Sequence, residues 1–413
     1  MLKIVERESA GKVEGAALDE IAREGARQML AQALAAEVSD YLERHEDARD
    51  EQGHAMVVRN GKARPRKVTV GSGTVEVEAP RVHDRREGQK FTSQILPPYM
   101  RRSPKVSEVL PLLYLRGLST GDFQEALPVL LGEDASGLSP SAITRLIGQW
   151  EEEYEHFRHR DLSGAEYVYI WVDGVHFRVR LEDDRLCTLV VMGVKRDGTK
   201  ELIAVEDGYR ESDESWSAVL RDLRDRGMAA PLLAIGDGAL GFWKAARSVW
   251  PKTKGQRCWV HRLANVLDKL PKRLQGRAKR MLHEVMNAES RKDAEACLVS
   301  FEEEFGAKYP KAVASLRRDE ELLLTFYDFP AEHWRHIRST NAIESSFATV
   351  RLRTRVTKGA GTRSRALTMA FKLLAMAEKR WRRVNKPELV ALVAAGATFV
   401  DGTQQTGSRK EAA

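Results

Sequence analysis

The sequence predicts an α/β protein with a mixed five-stranded sheet, helices on both faces of the sheet and an all-helical insertion. Three observations carry this prediction. Between residues 166 and 261 apolar runs with period two give way to alternating strand and helix patterns, in the order β-β-β-α-β-α-β. After His261 about 75 residues show only helical periodicity. Before residue 160 the periodicity is mostly helical, interrupted by one small β-hairpin.

The N-terminal region, residues 1–104, begins with an amphipathic helix predicted over 13–45. A hairpin is predicted in KVTVGSGTVEVEAP, because apolar and polar residues alternate about Gly71-Ser72-Gly73. Residues 105–160 form three helices, the last starting at Ser139-Pro140. This unit is typical of a helix-turn-helix-like DNA-binding region, in which Thr144 and Arg145 would face a groove; a helical unit without DNA binding is the alternative.

The central part divides into a first core segment (161–261), the helical insertion (262–335), a second core segment with a basic helix (336–400) and a disordered tail (401–413). The strand-like runs of the first segment are YVYIWV, VHFRVR, RLCTLVVMGV, PLLAIGDG and QRCWV. Helices are predicted at 212–226 and in FWKAARSVW. Three strands in an antiparallel meander, followed by alternating helices and strands, give a mixed sheet.

Three acids occupy positions suited to chemistry. Asp173 and Asp237 each follow an apolar strand, and Glu344 lies in the first turn of a helix. Carboxylates that converge in a cleft repel each other, so they favour a divalent cation such as Mg²⁺. Each acid also has a structural alternative: Asp173-Gly174 as a type I′ hairpin turn, Asp237-Gly238 as a strand-end turn, and Asn341 with Glu344 as a capping box.

Positive charge is concentrated near the third acid. The chain has 67 Lys plus Arg, 60 Asp plus Glu and a net charge of +7, but residues 335–383 hold 13 basic and only two acidic residues. Arg351 and Arg355 follow Glu344 by seven and eleven positions, which puts them on the same helix face. Because guanidinium groups bind phosphate in a bidentate manner, a polyanion is the predicted partner. A solvated helix face is the alternative.

Cysteine content and hydropathy bear on the compartment. The three cysteines, Cys187, Cys258 and Cys297, are too few for a disulfide framework. The first residues contain no apolar signal segment, and no apolar run is long enough for a membrane span. We therefore expect a cytoplasmic protein that is not associated with a membrane. With DNA as the polyanion, it would be associated with the nucleoid.

Four segments together resemble the mutator family of bacterial insertion-sequence transposases: VDGVHFRVR, AIGDGALGFWKA, QRCWVHRLAN and RSTNAIESSF followed by RLRTRVTKG. The resemblance implies a ribonuclease H-like core and a catalytic triad of Asp173, Asp237 and Glu344. It implies Mg²⁺ or Mn²⁺, with two ions expected, and double-stranded DNA as substrate, both at inverted-repeat element ends and at the target. It further suggests movement through a circular intermediate and a homo-oligomer in the synaptic complex.

The resemblance also assigns supporting roles. Cys258 and His261 match the family's C-x-x-H, and Asn265 would orient His261. Asn341, the second residue of the TNAIE block, would support the site. A zinc site at the Cys258–His261 pair would need further ligands. Trp334 resembles a tryptophan that stacks on distorted DNA ends in some transposases, with packing in the protein as the alternative. The predicted DNA-contacting cations of the basic segment are Arg351, Arg353, Arg355, Lys358, Arg363 and Arg365.

Two other functions remain open from the sequence. One is a ribonuclease H-like nuclease that cuts without joining strands. The other is a DNA-binding protein without catalysis, such as a self-repressor or a domesticated relic. The presence of all three acids favours the transposase.

Overall fold

The computed structural model describes residues 10–118, 120–131, 139–178, 185–208, 210–238, 240–356 and 362–405. The chain forms two compact units, Met1–Leu146 and Ile147–Ala413. This boundary differs from the one predicted at residue 160, because the helix that begins at Pro140 continues into the second unit. In that unit the hydroxyl of Tyr154 donates to the carbonyl of Val205 at 2.7 Å.

The first unit combines helices with two small antiparallel strand pairs. Its elements are α1 (Ala10–Glu43), β1 (Val57–Lys62), β2 (Arg66–Val70), β3 (Gly73–Val77), β4 (Pro80–Asp84), α2 (Pro104–Arg116), α3 (Thr120–Leu131) and the start of α4 (Pro140–His159). The β2–β3 hairpin lies where the alternation predicts it, whereas the β1–β4 pair was not predicted. The loop GEDASG lies outside the described residues. Ser139 caps α4, its Oγ accepting from the Ala142 amide at 3.2 Å.

The second unit is built around the central sheet. Its sheet region contains β5 (Tyr167–Arg178), β6 (Arg185–Lys195), β7 (Lys200–Gly208), α5 (Asp213–Asp225), β8 (Leu233–Gly236), α6 (Leu240–Val249) and β9 (Lys254–Arg257). Six helices follow: α7 (Trp259–Leu267), α8 (Lys272–Asn287), α9 (Arg291–Phe305), α10 (Pro310–Arg317), α11 (Glu320–Leu323) and α12 (Ala331–Ile337). The last elements are α13 (Asn341–Val356), α14 (Arg363–Glu378), α15 (Glu388–Ala394), β10 (Phe399–Val400) and β11 (Thr403–Gln404).

The central sheet is mixed and five-stranded, as predicted. Its strand order is β7-β6-β5-β8-β9; β5, β6 and β7 are antiparallel, and β8 and β9 run parallel to β5. Trp216 of α5 and Phe242 of α6 pack on one face, against Ile170 and Val172. On the other face, the Trp171 indole N–H donates to the carbonyls of His336 and Ser339, each at 3.2 Å. Helices therefore cover both faces.

The three antiparallel strands differ from the predicted ones, although their number is right. YVYIWV and the first residues of VHFRVR form the single strand β5, and β7 is a strand that was not predicted. Asp173 and Gly174 pair with Val190 and Leu189 in the middle of the β5–β6 ladder. The type I′ turn and the strand end predicted at Asp173 are therefore both wrong, because the ladder continues through it.

The helical segments agree with the prediction in type but not in every boundary. Residues 259–337 contain helices and one short 3₁₀ turn, Thr325–Asp328, and no strand. The basic segment forms two helices, α13 and α14. The predicted final helix over 387–399 ends at Ala394, and the predicted tail instead begins with the β10–β11 hairpin; residues 406–413 lie outside the described residues. None of the described helices is long and apolar enough to span a bilayer.

Candidate active site

Asp173 and Asp237 lie level with each other on neighbouring parallel strands. Trp171 pairs with Ile235 in the β5–β8 register, so Asp173 and Asp237 each stand two residues beyond this pair. Cys258 is at the same level, since Gly236 pairs with Arg257 in the β8–β9 register. The sheet thus brings Asp173 of β5 to the level of Asp237 and Cys258, which follow the carboxyl ends of β8 and β9.

Asp173 is the most buried of the acids, with 8 % of its surface exposed. Burial, followed by the negative charges of Asp237 and Glu344, raises the pKa of Asp173 to about 7. The amide of Gly174 donates to Asp173 Oδ1 at 2.8 Å and opposes this rise. The three acids named from the sequence therefore interact electrostatically.

A buried arginine, Arg257, fixes the loop that carries Asp237. The Arg257 guanidinium donates to the Asp237 carbonyl, and the Trp243 indole N–H donates to the same oxygen at 2.9 Å. Arg257 also contacts the Asp319 carboxylate at 3.0 Å. This arrangement fixes the backbone of Asp237 and leaves its carboxylate half-buried. Arg257 was not identified from the sequence, although it directly precedes the C-x-x-H.

Glu344 projects from the first turn of α13, which packs on β5. The Thr340 hydroxyl donates to Glu344 Oε1, and the Thr340 carbonyl accepts from the Glu344 amide at 3.0 Å. His261 Nδ1 lies 3.8 Å from Glu344 Oε1. Thr340 therefore positions the carboxylate from the residue before the helix. Asn341, the neighbour that the family resemblance assigns to site support, is exposed.

Cys258 and His261 form a polarised pair next to Glu344. The hydrogen bond to Cys258 raises the pKa of His261 to about 9, assisted by the charges of Glu344 and Asp237. Burial opposes ionisation of Cys258, but hydrogen bonds with His261 and Thr340 outweigh it and lower the pKa of the thiol. Thr340 contacts Cys258 Sγ through both its amide, at 3.3 Å, and its hydroxyl, at 3.1 Å. His261 thus places a protonated imidazole beside Glu344 near neutral pH.

The ligand types at this site are those that a divalent cation prefers. Asp173, Asp237 and Glu344 offer carboxylate oxygens, the ligand type that Mg²⁺ and Mn²⁺ prefer. Burial and, after it, the negative charges of Asp237 and Glu344 raise the pKa of Asp173, and a bound cation would offset both effects. Cys258, His261 and Glu344 also form a group with ligand atoms within 4.8 Å of one another, so a third ligand for the C-x-x-H pair is the catalytic candidate itself. Asn265 is exposed on α7.

The predicted DNA-contacting cations differ in exposure. Arg351 is exposed, with its guanidinium 5.9 Å from the centre of the Phe347 ring, and Arg365 is exposed on α14. Arg353 is only 5 % exposed, and Arg363 forms a bidentate ion pair with Asp207 at 2.5 and 2.8 Å. Lys358 lies outside the described residues, and the Arg355 side chain is not described. The charge count therefore did not predict that Arg353 is buried or that Arg363 pairs with Asp207.

Trp334 packs within the protein. Its ring contacts those of Phe326 and Tyr327 edge-on, at 5.3 and 4.9 Å between centres, and its indole N–H donates to the Phe329 carbonyl at 2.8 Å. This geometry favours the packing alternative over stacking on DNA. In the first unit, Thr144 and Arg145 are exposed on α4, as predicted.

An open basic pocket of about 590 Å³ adjoins the start of α13. Asn341 lines it, three residues before Glu344. The cations around it are Lys200, Arg335, Arg338, Arg382 and Arg383. Four of these were counted in the basic segment but not selected as ligands for DNA, and Lys200 was missed because it is distant in sequence. A pocket of this charge is suited to phosphate groups.

Comparisons with known proteins bear on this site as a whole. The family model described as "Transposase, Mutator family" matches residues 2–383. A transposase for insertion sequence element IS6120 from Mycolicibacterium smegmatis is 59 % identical over 297 residues, 72 % of this chain and 92 % of the relative. The transposase for insertion sequence element IST2 from Acidithiobacillus ferrooxidans is 52 % identical over 287 residues, which are 68 % of this chain and 95 % of the relative.

Among solved structures, the Drosophila P element transposase strand transfer complex matches with a TM-score of 0.24 and 11 % identity over 71 % of this chain and 91 % of that one. A similarity this low supports no further conclusion. The family match spans nearly the whole chain and includes every residue of the site described above. By this match and by its two bacterial relatives, the chain belongs to the Mutator family of transposases.

Proposed function

We propose that this chain is an insertion-sequence transposase that cuts and joins DNA strands with Asp173, Asp237 and Glu344. The proposal rests on the position of Asp173 and Asp237 on neighbouring parallel strands of a mixed five-stranded sheet, with Glu344 nearby on the helix that packs on β5. Asp173 and Asp237 are level across the β5–β8 register, and Glu344 acts on Asp173 electrostatically.

Each residue then has a distinct task. Asp173, Asp237 and Glu344 would hold divalent cations, Mg²⁺ or Mn²⁺, with two expected. Bound there, the cations would supply activation of the attacking oxygen and charge stabilisation of the leaving oxygen. Thr340 and His261 orient Glu344, and Arg257 fixes the backbone of Asp237. Because these groups are held before the substrate arrives, little reorganisation is needed during the reaction.

Double-stranded DNA is the proposed substrate, bound at inverted-repeat ends and at the target. The basic pocket beside Asn341 and the exposed Arg351 and Arg365 lie in the unit that carries the triad. These cations would bind phosphates irrespective of sequence, while Thr144 and Arg145 of α4 are the proposed readers of the element ends. Since two ends must be brought together, we propose that the protein acts as a homo-oligomer.

The deciding experiment uses the full-length protein and linear DNA bearing the inverted repeats that flank its own reading frame. Nicked and joined products are scored separately in Mn²⁺, in Mg²⁺ and in a chelator. We expect both products with either metal and neither in the chelator. Nicks without joining would indicate a nuclease, and binding without nicks would indicate a repressor or relic; either outcome overturns the proposal.

Alanine substitutions at Arg351 and Arg355 are expected to weaken DNA binding equally for specific and unrelated sequences. If each contacts one phosphate, each substitution reduces the slope of log affinity against log salt by about 0.9. The measurement is fluorescence anisotropy over a salt series. Arg224→Ala is the matched control, because this exposed arginine pairs with its neighbour Asp225 at 2.9 Å. Slopes equal to the wild type for both variants would mean that these arginines only solvate the helix.

A further inference from the structure

A second group of metal-ligating side chains lies at β5, and the proposed reaction does not use it. His176, Cys187 and Glu211 offer a ring nitrogen, a thiol sulfur and a carboxylate oxygen that all lie within 4.8 Å of one another. They come from β5, from β6 and from the residues just before α5. The group shares no ligand with Asp173, Asp237 or Glu344.

Strand register brings the first two ligands together. His176 and Cys187 are directly opposite in the antiparallel β5–β6 ladder, so both side chains project from the same face of the sheet. Cys187 packs in the core that α5 and α6 cover, while the His176 side chain remains 41 % exposed. A buried sulfur with a solvent-accessible imidazole beside it gives a metal ion a path to enter.

The third ligand reaches the group because Gly174 has no side chain. A Cβ at Gly174 would lie 2.4 Å from Glu211 Oε1 and 2.6 Å from Glu211 Cδ, both far inside van der Waals contact. Glu211 Oε1 lies 3.4 Å from His176 Nε2. The Ser212 side chain accepts from the Ser215 amide at 3.2 Å and so caps α5 immediately after Glu211. The cap of α5 and the lack of a side chain at Gly174 therefore place the Glu211 carboxylate against β5.

We propose that His176, Cys187 and Glu211 form a zinc-binding site beside the catalytic edge. Zn²⁺ is bound by thiolate, imidazole and carboxylate, and three protein ligands leave a fourth position for water. Mg²⁺ prefers oxygen ligands and would not select the sulfur. Bound Zn²⁺ would compensate the negative charge of Glu211 next to Asp173 and would fix the end of the β5–β6 ladder.

The competing interpretation is a His176–Glu211 ion pair next to a buried thiol that binds nothing. Both interpretations predict that the three side chains are close together. They differ in whether a metal ion forms a bond to Cys187 sulfur. A spectroscopic signal from that bond therefore tests the site independently of transposition activity, so the result does not depend on the proposed function.

The experiment titrates metal-free full-length protein with Co²⁺, which reports tetrahedral thiolate coordination through its visible and near-ultraviolet absorption, and then displaces it with Zn²⁺. We expect one equivalent to produce a thiolate-to-cobalt band. Cys187→Ser should abolish the band, and His176→Ala and Glu211→Gln should weaken binding by about tenfold or more. His176→Ala keeps the test valid if Cys187→Ser fails to fold, since this side chain is partly exposed.

Two control variants separate this site from other thiols. Cys297→Ser, on α9, should leave the band unchanged. Cys258→Ser should also leave it unchanged, although Cys258 belongs to the other group of possible ligands. Absence of a thiolate band in the wild type, or a band that persists in His176→Ala and Cys187→Ser, would overturn the proposal. Loss of the band in Cys258→Ser alone would assign the metal to the C-x-x-H pair instead.

Discussion

Asp173→Asn, Asp237→Asn and Glu344→Gln are each expected to reduce DNA cleavage and strand joining by at least about a thousandfold. Each substitution keeps the size of the side chain but replaces a negatively charged ligand with a neutral amide. Binding to the element ends should persist, because the proposed DNA contacts are made by other side chains. The measurement compares product formation in Mn²⁺ with binding in a gel-shift assay on the same DNA.

Asp225→Asn is the matched control for the triad. This acid is exposed at the end of α5 and pairs with Arg224, so the same chemical change there should leave cleavage at the wild-type rate. Cleavage at the wild-type rate by any one triad variant would remove that acid from the catalytic set. Loss of DNA binding together with activity would instead indicate that the variant has not folded.

The sequence predicts the mixed five-stranded sheet better than it predicts the strand boundaries. Asp-Gly between two apolar runs is a typical hairpin signal, yet at Asp173-Gly174 the ladder continues. Here the glycine serves a different purpose, because it makes room for the Glu211 carboxylate. A dipeptide pattern does not distinguish a turn from a close tertiary approach. The strand β7 was missed since its buried run, Leu202–Val205, is only four residues long.

The groups that position the triad were harder to predict, because their roles arise from tertiary contacts. Thr340 contacts Cys258, which is 82 positions away in the chain, and together with His261 it holds Glu344. The C-x-x-H spacing identified Cys258 and His261, but it did not identify Thr340, which both of them contact. Counting the charges of residues 335–383 did not identify the right cations either. The count included Arg353, which is buried, and it left out Lys200, which lines the basic pocket.

Asp173→Asn is also expected to stabilise the metal-free protein at pH 8, although we expect the same substitution to abolish cleavage. The pKa of Asp173 is about 7 in the folded protein, against an ordinary value of 3.8, so the folded state binds this proton more tightly than the unfolded state. The associated stabilisation is complete below about pH 4 and is lost as the pH rises through about 7. Ionised Asp173 then costs on the order of 4 kcal/mol at pH 8.

Thermal unfolding at pH 5 and pH 8, with chelator or with Mg²⁺, tests this linkage. In chelator the wild type should lose several degrees of melting temperature relative to the variant as the pH rises, and Asp225→Asn should behave as the wild type does. Mg²⁺ should restore more stability to the wild type than to Asp173→Asn, because only the wild type retains all three charged ligands. Identical pH profiles for wild type and variant would mean that neither burial nor the charges of Asp237 and Glu344 raise the pKa of Asp173 in the folded protein. The metal-binding role proposed for the three acids would then lose its electrostatic basis.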